Sequence, residues 1–492
     1  MMFLDKETEG LLLKGFMRRV FASSSLVPKS RRLGEIPDSR QAYRDVAVIA
    51  LPAIAELVLM SLIGSADTIM VGQLGRNGLA AVSLPGQPRM IMLAMFFALN
   101  VGVTAIVARR KGEGKRDAAN ATLRNAILLS FTLSVLIAAL AVAFARPLMH
   151  LAGGHDRTPD DAMVLQNAVD YFIIMACALP VNAVSMCINA ALRGVGDTRI
   201  PMKVNFISNL VNVLFNYLLI FGHLGLPRLE IRGAAIASVI GMTTGMVLSI
   251  LAVAHTKTSY LRISRRDNWR VDPRTMRSII RVGGNAVVEQ VSVRFGFFLY
   301  TRIMYSLGVT LFAAHNIAMQ FLALTFNFAD GLSVAATSLV GQNLGRGRRD
   351  LSLLYGKVTQ RIALVLSLTL GALTALLRFP VSRLFINPGT PDAANVILFA
   401  AETLLIVAML QPLQMSAVVL SGALRGAGDN LYVAGAMMVC VSLIRPVMAW
   451  LAVDVFGLGL AMTWLLSLSE IGLRLFLFYL RFESGKWAFK RV

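Results

Sequence analysis

The sequence predicts an all-α polytopic membrane protein: twelve transmembrane helices in two six-helix bundles related by a pseudo-twofold axis. Three observations predict it. Of 492 residues, 56% are hydrophobic and only 15% are charged, against roughly 25% charged in a soluble domain. The apolar runs are long enough to cross a bilayer, which takes about 20 residues, and in lipid they satisfy their backbone hydrogen bonds only as helices. Finally, the second half of the chain repeats the first, with Ala-Leu-Arg-Gly-x-Gly-Asp at 191–197 and again at 423–429.

Residues 1–44 read as a basic amino-terminal arm. Asp5, Glu7 and Glu9 precede a short apolar run there, with no clean cleavage pattern after it, so a removable signal peptide is not expected. The arm is expected on the cytoplasmic membrane surface or as a disordered leader. A first bundle, 45–255, follows, with spans at 45–72, 78–107, 121–145, 163–190, 199–221 and 232–255. The stretch 256–275 reads as a basic cytoplasmic linker. The second bundle, 276–481, places spans at 276–305, 311–338, 354–379, 395–423, 431–453 and 457–480, before a cytoplasmic tail at 482–492.

The net charge of +21 marks topology rather than nucleic-acid binding. Lys and Arg gather in alternate loops such as 109–117 (RRKGEGKRD) and 345–350 (GRGRRD), whereas 154–162 (GHDRTPDDA) and 386–394 (INPGTPDAA) are net acidic. The positive-inside rule then puts both termini of this multi-pass chain in the cytoplasm. Cys177, Cys187 and Cys440 fall in apolar runs without paired spacing and read as small core hydrophobes. The five histidines show no metal-ligand grouping. No cofactor is expected.

Glu56 meets Glu289 at a shift of 233 residues, and Leu74-Gly75 meets Leu307-Gly308 in the same register. Gln87 falls on Gln320, and 111–117 (KGEGKRD) on 344–350 (LGRGRRD). With one residue lost, Pro180 meets Pro412 and the two ALRGxGD copies coincide. Six spans per half leave both halves in the same orientation, and parallel repeats of this kind recur in secondary transporters. Each ALRGxGD copy is expected to end a helix at the cytoplasmic side. Its Gly would supply a positive-φ cap, and Asp197 or Asp429 would cap the next helix. Arg193 and Arg425 would answer the helix dipole and phospholipid head groups.

Charged and amide side chains inside the spans are the candidate site residues. Glu56 and Asp67 lie eleven residues apart on span one, a net rotation of about 20° and a rise of about 16 Å, so they share a face. Span five carries Asn205, Asn209, Asn212 and Asn216 within about 60° of arc. This amide stripe is expected to face the bundle interior and to offer oxygens and donors to a cation, water or substrate. The second half has Met437, Val441, Ile444 and Met448 at the equivalent places. Glu289 and Tyr300, the repeat partners of Glu56 and Asp67, are candidate substrate contacts, with Glu289 equally a structural lock. Asp330 on span eight is expected to pair with Arg294 or Arg302 across helices. Tyr171, Gln320 and Gln414 are further candidate contacts, the aromatic ring suiting a planar cation.

The pattern ADTIMVGQLG…LAAVSL in the first half, AAHNIAMQ…SLVGQNLGRGRRD in the second, and the doubled ALRGxGD resemble the MATE (multidrug and toxic compound extrusion) transporter family over residues 45 to 480. That resemblance implies secondary active efflux of organic, mainly cationic compounds by H⁺ or Na⁺ antiport with alternating access. It also carries the ion-coupling role onto Asp67 in ADTIMVG, with Asn209, Asn212, Asn216 and Glu56 around it and Na⁺ near Asp67 as the one metal implied. A desolvated carboxylate there can take up a proton or be kept ionised by a bound cation. The chain departs from the family at Asn216, where archaeal and DinF-like members carry an acid. It departs again at Gln414 and Val293, where NorM-like members carry Asp and Glu. The rival reading is a lipid-linked oligosaccharide flippase of the wider superfamily, for which a strongly cationic cavity is expected. The polar residues predicted to line the cavity of this chain are acidic or neutral, which favours cation export. An enzyme is not expected, because no nucleophile–base pair or phosphate-cradling loop is present. The expected partners are small organic cations and lipid, with the chain a monomer.

Overall fold

The computed structural model describes residues 20–255, 260–264, 267–386 and 392–489. The first nineteen residues of the arm, parts of the linker (256–259, 265–266), most of the acidic loop 386–394 and residues 490–492 lie outside the described residues.

Among the described residues all regular structure is helical, and it follows the twelve expected spans. They are α1 (Ser39–Gly72), α2 (Asn77–Gly112), α3 (Arg116–Ala143), α4 (Pro159–Cys177 and Leu179–Gly194), α5 (Arg199–Phe221) and α6 (Glu230–His255). Next come α7 (Pro273–Ser306) and α8 (Val309–Gly345), α9 (Arg349–Leu384), α10 (Ala393–Gly426), α11 (Asn430–Val455) and α12 (Leu460–Glu483). Ten of these are long and apolar enough to cross a membrane on their own. The two halves of α4 qualify together, bent by 47°, where Pro180 at the second helical position starts a new segment. α7 does not qualify, because Arg281, Glu289, Arg294 and Arg302 interrupt its apolar run.

The chain divides into two compact units: Ala55–Lys111 with Lys115–Val287, and Met1–Ile54 with Gly112–Gly114 and Val288–Val492. Helices α1 and α7 therefore each contribute one stretch to either unit. In the Ala55–Val287 unit, α5 and α6 pack along a small-residue stripe on α6. A Cβ at Gly241 would lie 2.8 Å from the Asn212 Cβ, and one at Gly245 would lie 3.1 Å from Ser208 Oγ. Small residues of this kind let membrane helices approach closely. Ser208 Oγ locks the pair by donating to the Gly241 carbonyl at 2.6 Å.

The described part of the linker is stitched onto α3 rather than hanging free. Asn120 Oδ1 accepts from the Arg262 backbone N–H at 3.0 Å, Asn125 Oδ1 from that of Asp272 at 2.9 Å, and Arg124 pairs with Asp267 at 3.2 Å. Residues 20–38 of the arm are likewise docked, not a leader lying loose. Leu26 and Val27 bury in one apolar cluster with Phe478, Phe482 and Trp487. Asp350 Oδ2 accepts from the Leu33 N–H at 3.0 Å, and Arg348 donates to the Glu35 carbonyl at 2.7 Å. Cys187 and Cys440 are buried as expected of small hydrophobes, whereas Cys177, at the bend of α4, is exposed.

Candidate functional site

The doubled heptad closes each α4 and α10 in the same three ways. Its first glycine is a close-approach position: a Cβ at Gly194 would lie 2.6 Å from the Thr104 carbonyl oxygen, and one at Gly426 would lie 2.7 Å from the Thr337 Cα. Its second glycine turns the chain in the left-handed region, with φ of +81° at Gly196 and +86° at Gly428, as expected. Its arginine, however, turns inward. Arg193 forms an ion pair with Glu56 on α1, and Arg425 forms one with Glu289 on α7. The expectation that these arginines answer head groups is corrected: a buried carboxylate in each unit, Glu56 2% and Glu289 3% exposed, demands a cation more strongly than the head groups do. The aspartates diverge. Asp197 Oδ1 accepts from the Ile200 N–H at 3.3 Å, a cap as expected, while Asp429 pairs with Arg481 at 2.7 Å instead of capping α11.

In the Ala55–Val287 unit the amide stripe of α5 faces α1 in register. Asn205 Nδ2 donates to Glu56 Oε1 at 2.6 Å, and Asn216 Nδ2 donates to Asp67 Oδ1 at 2.8 Å. Both rungs join residues 149 apart in the chain, because α1 and α5 run parallel and the two carboxylates share the eleven-residue spacing of the two amides. Asn212 has one orientation that satisfies its surroundings. With its nitrogen toward Asp67 it donates to both carboxylate oxygens, at 3.0 and 3.1 Å, and its oxygen accepts from the Ser238 N–H at 3.2 Å. Turned the other way it reaches only Ser238 Oγ at 3.3 Å. Asn209 donates to the Asn205 carbonyl of its own helix at 2.7 Å and stays between the rungs.

Asp67 is half-buried, so it keeps an open side while two amides hold the other. Tyr171 is buried on α4, and Arg89 on α2 stands within electrostatic reach of both Tyr171 and Asp67. The expected residues Asp67, Asn212, Asn216 and Tyr171 therefore come together, with Arg89 as an addition. Glu56 belongs to a separate rung, tied to Arg193 and Asn205. Chemically, the upper rung is a carboxylate whose negative charge is stabilised by amide donors and whose exposed side can meet a proton, a small cation or a cationic substrate.

In the other unit, Tyr300 is 2% exposed, with its ring 5.6 Å from that of His315 and 5.8 Å from the Arg445 guanidinium. Gln414 is fully buried and accepts from Arg474 at 2.5 Å. Arg445 and Arg474 both pair with Glu470. Two arginines buried against one glutamate are an addition to the acidic and neutral residues that the sequence singled out in this unit. Gln320 is exposed and Glu289 lies apart in its pair with Arg425. Asp330 pairs with neither Arg294 nor Arg302 among the described residues; Arg425 stands within electrostatic reach of it.

The MatE family model matches this chain twice, over residues 52–218 and 286–451. The protein named Probable multidrug resistance protein NorM from Thermotoga maritima is 27% identical over 460 residues, 93% of this chain and 95% of that one. Multidrug resistance protein MdtK of Edwardsiella ictaluri is 25% identical, covering 79% of this chain and 82% of its own. Among solved structures, an outward-facing multidrug resistance MATE family transporter of the MOP superfamily superposes with a TM-score of 0.81 at 20% identity, covering 90% of this chain and 97% of that one. A MOP superfamily transporter from Pyrococcus furiosus, described as having a binding pocket of reversed polarity, does so with a TM-score of 0.82 at 20% identity and the same coverage. At 20% identity these structural likenesses are likenesses of fold.

Proposed function

This chain belongs to the MatE family of transporters, and from that premise we propose that it exports organic, mainly cationic compounds by antiport against H⁺ or Na⁺, with alternating access. The names of its relatives, NorM and MdtK, support multidrug cargo. The observation that carries the coupling is the upper rung: Asp67, half-buried, with Asn216 and Asn212 donating to it. A carboxylate held by neutral amides, with one side open, can exchange a proton or Na⁺ for a cationic cargo, and its charge changes with what it holds. Tyr171 and Arg89 line the same region, the ring offering a face to a planar cation.

The lower rung has a different part in this proposal. Glu56 is already neutralised by Arg193, so we assign it to holding α1, α4 and α5 in register, and Glu289 with Arg425 to the same task in its own unit. Tyr300, Gln320 and Gln414 remain proposed contacts for cargo. The chain is proposed to act as a monomer in the bacterial inner membrane with both termini cytoplasmic, as the loop charges direct.

Everted membrane vesicles loaded by dye accumulation test the proposal when Na⁺ and the pH gradient are varied independently. Wild-type efflux is expected to depend on one of the two ions. Asp67→Asn is expected to insert normally and to lose ion-coupled efflux, and wild-type rates in that variant would refute the assignment.

A further inference from the structure

The Val288–Val492 unit contains a buried charge cluster that the coupling reading does not use. Arg445 on α11 donates to Glu470 Oε2 on α12 through Nε at 3.1 Å and Nη2 at 2.8 Å. One turn beyond Glu470, Arg474 donates to Gln414 Oε1 on α10 at 2.5 Å and to Met437 Sδ at 3.8 Å. Its Nε is 3.5 Å from Glu470 Oε1, too long for a good hydrogen bond. Arg445, Glu470, Arg474 and Gln414 are 5%, 0%, 3% and 0% exposed.

Two guanidiniums and one carboxylate leave one positive charge in excess. All four residues lie near the middle of spans, where an uncompensated charge is expensive and marks a pathway or a partner. The hydrogen-bond inventory leans the same way. Two guanidiniums carry ten N–H donors and face one carboxylate, one amide oxygen, one thioether and the rings of Phe297 and Tyr300. Among the described residues Gln414 Nε2, beside the oxygen that Arg474 grips, has no hydrogen-bond partner, whereas Arg474 Nε and Glu470 Oε1, which also lack one, face each other as an ion pair at 3.5 Å. A side chain that is fully buried with its donor unused points to an acceptor from outside the chain.

The backbone around Arg445 departs from a regular α-helix. Met438–Ile444 and Leu451–Val455 of α11 are π-helical, bracketing Arg445 and Pro446, and π turns inside α-helices often mark functional sites.

We propose that Arg474, Gln414 and Arg445 form a binding site for a monovalent anionic group, either a carboxylate on an organic cargo or a free inorganic anion. The proposal is independent of cation coupling at Asp67, which lies in the other unit.

Isothermal titration of the purified full-length protein tests it, using sodium benzoate, sodium chloride and neutral benzamide in a buffer whose only anion is sulfate. Saturable binding of benzoate without chloride identifies a cargo carboxylate; binding of chloride identifies an inorganic anion. Arg474→Gln, which brings the cluster to neutrality, is expected to weaken the binding about tenfold or more, as loss of a buried charge partner does. Should that variant fail to fold, Gln414→Leu removes the free donor and is expected to weaken it likewise. Glu470→Gln, which adds one positive charge, is expected to tighten it. Asp67→Asn is expected to leave it unchanged, so failure of the coupling reading does not touch this one. Three results would overturn the proposal. They are no saturable binding of either anion, benzamide binding as well as benzoate, and unaltered anion affinity in folded Arg474→Gln or Gln414→Leu protein.

Discussion

At the scale of single residues, the four asparagines of α5 look alike in sequence but are not equivalent in place. Asn216 donates to Asp67 whereas Asn209 donates to the Asn205 carbonyl of its own helix. A hydrogen bond to a charged group is worth about 1.5–3 kcal/mol. Asn216→Ala is therefore expected to shift the ion concentration for half-maximal efflux by about tenfold or more, and Asn209→Ala by less than about twofold. Titrating efflux against each ion in vesicles checks both. The periodicity of the stripe and the eleven-residue spacing of Glu56 and Asp67 were legible in the sequence, because both depend only on the helical repeat. Arg89, Arg445, Glu470 and Arg474 were not, although an i,i+4 acid–base pair at 470 and 474 was a readable signal. The partners of Arg193 and Arg425 lie 137 and 136 residues away, and no local periodicity announces such a pair.

At the scale of helices, position is set by close approach and by caps. Gly241 lets α6 sit against α5 at the level of Asn212. Gly241→Leu cannot fit against that backbone and is expected to push the amides off Asp67. Efflux should fall at least tenfold while Thr243→Leu, on the exposed side of α6, changes it little; overpacking of this kind costs about 1–3 kcal/mol. The start of α7 gives a prediction about pH. Asp272 caps it, accepting from the Thr275 hydroxyl at 2.5 Å, the Thr275 N–H at 3.3 Å and the Arg274 N–H at 3.1 Å. The Thr275 hydroxyl bond is the main cause that holds the Asp272 carboxyl below the ordinary range, with partial burial opposing it. A carboxylate depressed in the folded state adds stability above its unfolded value and loses it as pH falls through the folded one. Asp272→Ala is thus expected to destabilise the protein by about 1 kcal/mol at neutral pH, and the difference from wild type should fade once the medium is acid enough to protonate Asp272. Thermal unfolding of the two proteins across acid pH measures it. Span boundaries came within about seven residues of the observed helices, which run past the apolar stretches into charged turns. Hydropathy alone did not show the bend of α4, which Pro180 marks, or the π turns of α11.

At the scale of the molecule, duplication has kept the mechanical parts and let the chemistry diverge. Each unit retains a glutamate on its first helix, an arginine from the heptad and a close glycine–threonine contact. Among the described residues, the Ala55–Val287 unit alone sets a span carboxylate against amides. At the position that repeats Asp67 the other unit carries Tyr300, buried near Arg445 and His315, and its counterparts of the asparagines are Met437, Val441, Ile444 and Met448. If coupling needs the whole rung, moving the acid alone cannot restore it. Tyr300→Asp would place its carboxylate near a guanidinium that already pairs with Glu470, and that fixed cation would compete with any mobile one. The double variant Asp67→Asn/Tyr300→Asp is therefore expected to remain as defective in ion-driven efflux as Asp67→Asn alone, although it reaches the membrane in similar amount. Recovery of ion-dependent dye efflux in the double variant would show instead that an acid at either repeat position suffices, and that the amides of α5 serve only to hold helices together.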